Sequence, residues 1–115
     1  MPMPMPMPMP LGKPDWLDVV RHRVRGFRVP FMLVVQHHAI QSATRLVAPV
    51  SLPLHGDVDV LAPRLLINGT QYRARVLDIS AIPVTLLGET VASLAADRDA
   101  IMNAIDVVLH GYQVR

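Results

Sequence analysis

Residues 63–77 read PRLLINGTQYRARVL, two short runs of branched and aromatic residues broken by Asn68-Gly69. Asn-Gly suits a two-residue hairpin turn in which both central residues need positive φ. If Ile67 faces Thr70, then Leu65 faces Tyr72 and Pro63 faces Ala74. Leu65, Ile67, Tyr72, Ala74 and Val76 then share one apolar face. Arg64, Leu66, Gln71, Arg73 and Arg75 share the other, which is mostly polar. The stretch predicts a half-buried β-hairpin.

Upstream, residues 29–36 (VPFMLVVQ) form a continuous apolar run too short for a comfortable helix, which fits a strand buried on both faces. Residues 41–44 are turn-like, and residues 45–50 (RLVAPV) resume as a strand whose Pro49 predicts an edge or a bulge. Residues 54–59 hold His55, Gly56, Asp57 and Asp59, a loop signature. Downstream the period changes. Ile101, Ile105, Val108 and Tyr112 recur at spacings of four, three and four, the stripe of an amphipathic helix over about 97–110. Asp97 and Asp99 suit its N-terminal end and Gly111 its termination. Asp99, Asn103, Asp106 and His110 line another face. Strands followed by one terminal helix predict an α+β domain built as a small, partly open antiparallel β-barrel.

The chain has 115 residues, 51% hydrophobic and only 17% charged, against roughly 25% charged in an average soluble protein. One small domain has little room to hide so much apolar area, so part of it is expected to meet a second copy or a partner. The longest apolar stretch falls far short of the ~20 residues that span a bilayer. No basic region followed by an apolar run marks a secretion signal, and cysteine is absent, so a cytoplasmic protein without disulfides is expected. Residues 1–15 open with a strict Met-Pro repeat, which favours an extended polyproline conformation and predicts a disordered tail before a domain at 16–115. Arg21, His22, Arg23, Arg25 and Arg28 crowd the early chain. With a net charge of only +2, they fit a solvated strand edge better than a non-specific DNA surface.

Residues that carry chemistry are sparse. His37 and His38 are adjacent, so within a strand they point to opposite faces, and His22, His55 and His110 lie in separate segments without ligand spacing. No metal or cofactor is expected. The serines lack a nucleophile-elbow context and the six glycines are scattered. Asp57 and Asp59 form an acidic pair better suited to shaping a turn than to acid–base work. At the helix end, His110, Gly111 and Tyr112 place two rings around a flexible residue, with Asp106 one turn earlier to favour protonation of His110. Tyr112 is readable either as an exposed aromatic tip or as a staple holding the helix end to the core.

The ordered series Leu61-Ala62-Pro63, the hairpin, Ile82-Pro83-Val84, Gly88-Glu89, Val91-Ala92, Leu94, Asn103-Ala104-Ile105 and Gly111 resembles the CcdB family, toxins of type II toxin–antitoxin systems. Asp18-Val19, Pro30-Phe31-Met32-Leu33, Val35-Gln36, Thr44-Arg45, Val47 and Pro49 resemble that family's opening strands. The resemblance implies an SH3-like barrel with a terminal helix and a two-fold homodimer. It implies a toxin that is not an enzyme and that inserts into the DNA gyrase A subunit dimer, trapping it with its DNA cut. The implied partners are an antitoxin whose disordered C-terminal tail wraps the toxin and, through that antitoxin only, operator DNA; no membrane is implied.

The family's target contact ends in Trp-Gly-Ile, and His110, Gly111 and Tyr112 occupy those positions, so only the glycine is kept. An asparagine one turn earlier matches Asp106, and Ala39 and Ile40 stand where the family has an Ile-Ile pair. The family's tryptophan stacks on an arginine of the target, which a protonated His110 would repel. Four residues, 112–115, stand where the family has one. Two other readings are therefore carried: a non-poisoning module that binds antitoxin and regulates its operon, and an endoribonuclease toxin of the same barrel using Arg73 or Arg75 beside Thr70.

Overall fold

Residues 15–24 and 31–111 are described in the computed structural model; the Met-Pro repeat, Arg25, Arg28, Val29, Pro30 and Tyr112 lie outside them. Strand β2 (Phe31–Val34) is buried at all four positions. It runs between β1 (Asp18–His22) and β3 (Thr44–Ser51), antiparallel to both, with Leu33 facing Val19 on one side and Ala48 on the other. Period-two alternation sends Phe31 and Leu33 into a large core with Val19, Val50, Leu65 and Ile67, closed by Ile101 and Ala104 of the terminal helix. Met32 and Val34 enter a smaller cluster on the opposite face with Val20, Val47 and Leu87. The double-sided burial expected over 29–36 holds for Phe31–Val34, while Val35 and Gln36 lie past the strand's end and are half-buried.

The remaining strands are β4 (Arg64–Ile67), β5 (Thr70–Ala74), β6 (Ser80–Pro83) and β7 (Leu87–Ser93), and the sheet order is β4-β5-β3-β2-β1-β7, with β6 also on β3. The sheet curls into an open antiparallel half-barrel of the SH3-like kind, with helix α1 (Arg98–His110) after it. The hairpin has the expected register, Ile67 on Thr70 and Leu65 on Tyr72, and Asn68 and Gly69 take φ of 51° and 85°. Gly111, at φ 62°, ends α1 by donating its N–H to Val107 O at 2.8 Å. Ile105 and Val108 pack on the large core as the stripe predicts, joined by the fully buried Ala104. Among the described residues no helix is long and apolar enough to cross a membrane.

Two expectations need correction. First, β1 lies inside the sheet between β2 and β7, so Arg21 and His22 are not on a strand edge; Arg21 pairs with Glu89 at 3.1 Å and lies over the Phe31 ring at 5.3 Å. Second, Pro49 sits in an interior strand. Its carbonyl accepts from Arg75 N at 2.7 Å on the side where β3 changes partner, from β6 along Thr44 to Val47 to β5 at Val50 and Ser51. Its missing N–H falls at that changeover, where no ladder donor is needed. At the start of α1, Asp97 and Asp99 stand where the sequence places them, and Asp97 acts there by charge, without a side-chain capping bond.

The outer face of the hairpin is also less open than its polar residues suggest. Leu66 is 68% exposed, but Arg73 is only 8% exposed, because the 52–62 loop folds over it. Arg73 Nη1 donates to Asp59 Oδ1 at 2.6 Å and to Ala62 O at 2.8 Å. Arg75 donates to both Asp57 oxygens, to Leu52 O at 2.8 Å and to Ser51 Oγ at 2.8 Å. Arg73 Nε, 3.8 Å from Asp57 Oδ2, has no hydrogen-bond partner. The hydrogen bonds from Arg75, then the N–H of Leu54, hold the Asp57 carboxyl below its ordinary range; those from Arg73 and Arg64 do the same for Asp59. The acidic pair shapes the loop, as the sequence indicates.

Gly88 is fixed by a close approach between strands: a Cβ there would lie 2.8 Å from Arg21 O. Gly88→Ala is expected to destabilise the domain by about 1–3 kcal/mol, seen as a lower Tm in scanning calorimetry. The clamp yields a pH prediction. Because the Asp57 and Asp59 pKa values are lowered on folding, their stabilisation is present above the unfolded-state value and is lost as pH falls through the folded one. Tm should hold steady above about pH 5 and fall below about pH 4, and Asp57→Asn should lower Tm at neutral pH while flattening that acid limb.

Candidate target-binding site

The helix end is an exposed tip. Asp106, His110 and Gly111 are all exposed, and so is Leu109, at 69%. Gly111, in the left-handed conformation, ends α1 at His110. The expected link between Asp106 and His110 is not made: both side chains face solvent and no ion pair joins them among the described residues. Tyr112 lies outside the described residues, so both of its readings stay where the sequence left them.

Beside the tip lies an apolar cavity of about 340 Å³, walled by Val35, Leu46, Val76, Ile79, Ile105 and Val108 and bordered by Leu77 and Leu109. Leu46, Leu77 and Leu109 on its margin are 43%, 67% and 69% exposed. Leu77 also borders a second cavity of about 280 Å³ that reaches to Leu54 and Val58. Part of the apolar surplus read from composition is therefore gathered along these two cavities, which share Leu77.

Ile40, 59% exposed, stands on the loop between β2 and β3. Gln36 holds that loop from both sides. Its Nε2 donates to Ile40 O at 2.9 Å, and its Oε1 accepts from Leu46 N at 3.1 Å. His37 and His38 do not splay to opposite faces as strand geometry would require. They lie beyond the end of β2, and their rings stack with centroids 4.1 Å apart. His37 also packs on Trp16 at 5.0 Å, and the Arg98 guanidinium lies over the same indole at 5.5 Å. Ile40's loop is thus tied to the first residue of α1, whereas Asp106, His110 and Gly111 occupy its last turn and end. None of Ile40, Asp106, His110 and Gly111 lines either cavity. The ring ladder has no sequence signature, because it depends on where a turn ahead of β1 puts Trp16.

Among the described residues no three His, Asp or Glu side chains converge as metal ligands. Arg73 and Arg75, the cations of the endoribonuclease reading, are both committed to carboxylates, and Thr70 is exposed at the hairpin turn.

The profile of the family described as "CcdB protein" matches residues 17–111. No curated protein matches the chain. Among solved structures, an endoribonuclease in complex with its cognate antitoxin from a mycobacterial species superposes with a TM-score of 0.66 at 16% identity, covering 84% of this chain and 94% of that one. The Mycobacterium tuberculosis toxin MazF-mt6 superposes with a TM-score of 0.65 at 16% identity, covering 80% of this chain and 95% of that one. At that identity the likeness establishes a shared barrel and nothing about chemistry. The profile spans the domain from the residue before β1 to the residue that ends α1, and on that match the chain belongs to the CcdB family of toxins of toxin–antitoxin systems.

Proposed function

We propose that this protein is a cytoplasmic toxin that acts as a two-fold homodimer, binds the DNA gyrase A subunit through its C-terminal tips and traps the enzyme with its DNA cut. It is not itself an enzyme in this reading. An antitoxin with a disordered C-terminal tail neutralises it and supplies the contact with operator DNA. The observation that carries the proposal is the exposed apolar margin of Leu46, Leu77 and Leu109 directly beside an exposed helix end. A second copy seated on that margin buries it and sets two helix ends side by side, a symmetric ligand for a symmetric receptor.

His110 favours a second reading. An interface tryptophan truncated to alanine commonly costs ~2 kcal/mol or more, and the imidazole offers a smaller ring at the corresponding place. A protein so altered keeps antitoxin binding and operon regulation while losing the poison. The endoribonuclease reading draws less support, since recruiting Arg73 or Arg75 to a phosphate means breaking their bonds to Asp57 and Asp59. RNA cleavage in a buffer without gyrase is its test.

Light scattering should give twice the 12.7 kDa chain mass, and Leu109→Glu should weaken self-association by about tenfold or more. With purified gyrase and supercoiled plasmid, linear DNA should accumulate after the enzyme is denatured. No linear DNA at saturating protein overturns poisoning, and unaffected growth with antitoxin binding retained selects the second reading. His110→Trp should raise the yield of linear DNA by about tenfold if ring size is what limits trapping.

A further inference from the structure

The loop that carries Ile40 is braced by residues that neither the family match nor the tip accounts for. Asp15 to Asp18 form a tight turn, in which Asp18 N donates to Asp15 O at 3.1 Å and Asp15 N donates to Asp18 Oδ2 at 2.9 Å. Its third residue, Leu17, has φ of 67°, a region that glycine normally occupies in such turns. The strain is sustained because Leu17 is 1% exposed in the core, donates its N–H to Val34 O at 2.8 Å and accepts at O from Leu94 N at 2.8 Å. The turn leaves Trp16 half-buried, its indole in contact with both the Arg98 guanidinium and the His37 ring. His37 in turn fixes the loop. Its Nδ1 accepts from Ala39 N at 3.0 Å and its O accepts from Ile40 N at 3.0 Å, while Gln41 Nε2 donates to His38 O at 2.9 Å.

We propose that Trp16 and His37 are positioning residues that hold the 36–42 loop so that Ile40 projects in one fixed orientation for target contact. The ladder is the loop's only ring-to-ring attachment to the rest of the domain among the described residues. An exposed Ile40 on an unbraced loop would have to be ordered when it binds, and that cost lowers affinity. The bracing follows from the free protein; its service to target binding rests on the gyrase reading above.

Amide hydrogen exchange on the free protein tests the bracing without any partner. His37 is exposed, so His37→Ala should leave the fold intact, and Trp16→Leu removes the other half of the contact. Both should speed exchange of the Ile40 amide by about tenfold, with β2 and β3 amides unchanged and Trp16→Phe close to wild type. Emission from the chain's single tryptophan should shift in His37→Ala. Unchanged loop exchange in both variants overturns the proposal. Titration of gyrase A subunit should then show His37→Ala binding about tenfold more weakly, with His37→Phe, which keeps the ring contact but not the Nδ1 acceptor, falling between that variant and wild type. Equal affinity, with loop exchange accelerated, overturns the functional half. Wild-type protein that fails to bind removes the gyrase reading instead, and the exchange data alone decide the bracing.

Discussion

Everything in this domain depends on four consecutive residues, Phe31 to Val34, having nowhere to meet water. Each side of that strand is covered, one by α1 and the hairpin, the other by a smaller apolar cluster. A register slip of one residue would exchange the two sets of side chains between cores of different size, so the register is firmly specified. That specification passes outward through the rows Val19–Leu33–Ala48 and Arg21–Phe31–Val50–Ala74, which place β1, β3 and β5 relative to β2.

Elements whose cause is local were legible in the sequence. The turn at Asn68-Gly69, the doubly buried run and the stop at Gly111 each follow from the residues that form them, and all three stand in the structure. What was not legible depends on long-range partners. Arg73 reads as a solvent-facing hairpin residue until a loop fourteen positions upstream delivers Asp59 to it. Pro49 reads as an edge residue because pattern alone does not reveal that β3 hands over from one neighbour to another. The basic run near Arg21 reads as an edge because the strand that covers it, β7, is separated by 68 residues at the Arg21–Glu89 contact.

The candidate site divides in the same way. His110, Gly111, Asp106 and Ile40 were named on resemblance, and the structure leaves all four exposed, a necessary condition for contact with a large partner. It does not gather them into one pocket; Ile40 stands on one projection of the domain and the other three on another. Such a layout suits a broad protein–protein contact, in which a few anchors on a wide surface carry most of the energy. Sequence alone gave no hint of the ladder from Arg98 to His38, because its members come from three segments and meet only through the turn at Leu17.

That turn has a practical side. Through the pairing of Leu17 with Leu94, Asp15 lies next to the root of α1, and thirteen helical residues, about 20 Å of rise, separate that root from His110. A dye, an affinity handle or a surface tether placed just ahead of Asp15 therefore lies well away from the helix end but beside the Trp16–His37 contact that braces the Ile40 loop. The same attachment made after Gly111 would sit on the helix end itself, so each end of the domain neighbours one of its two projections.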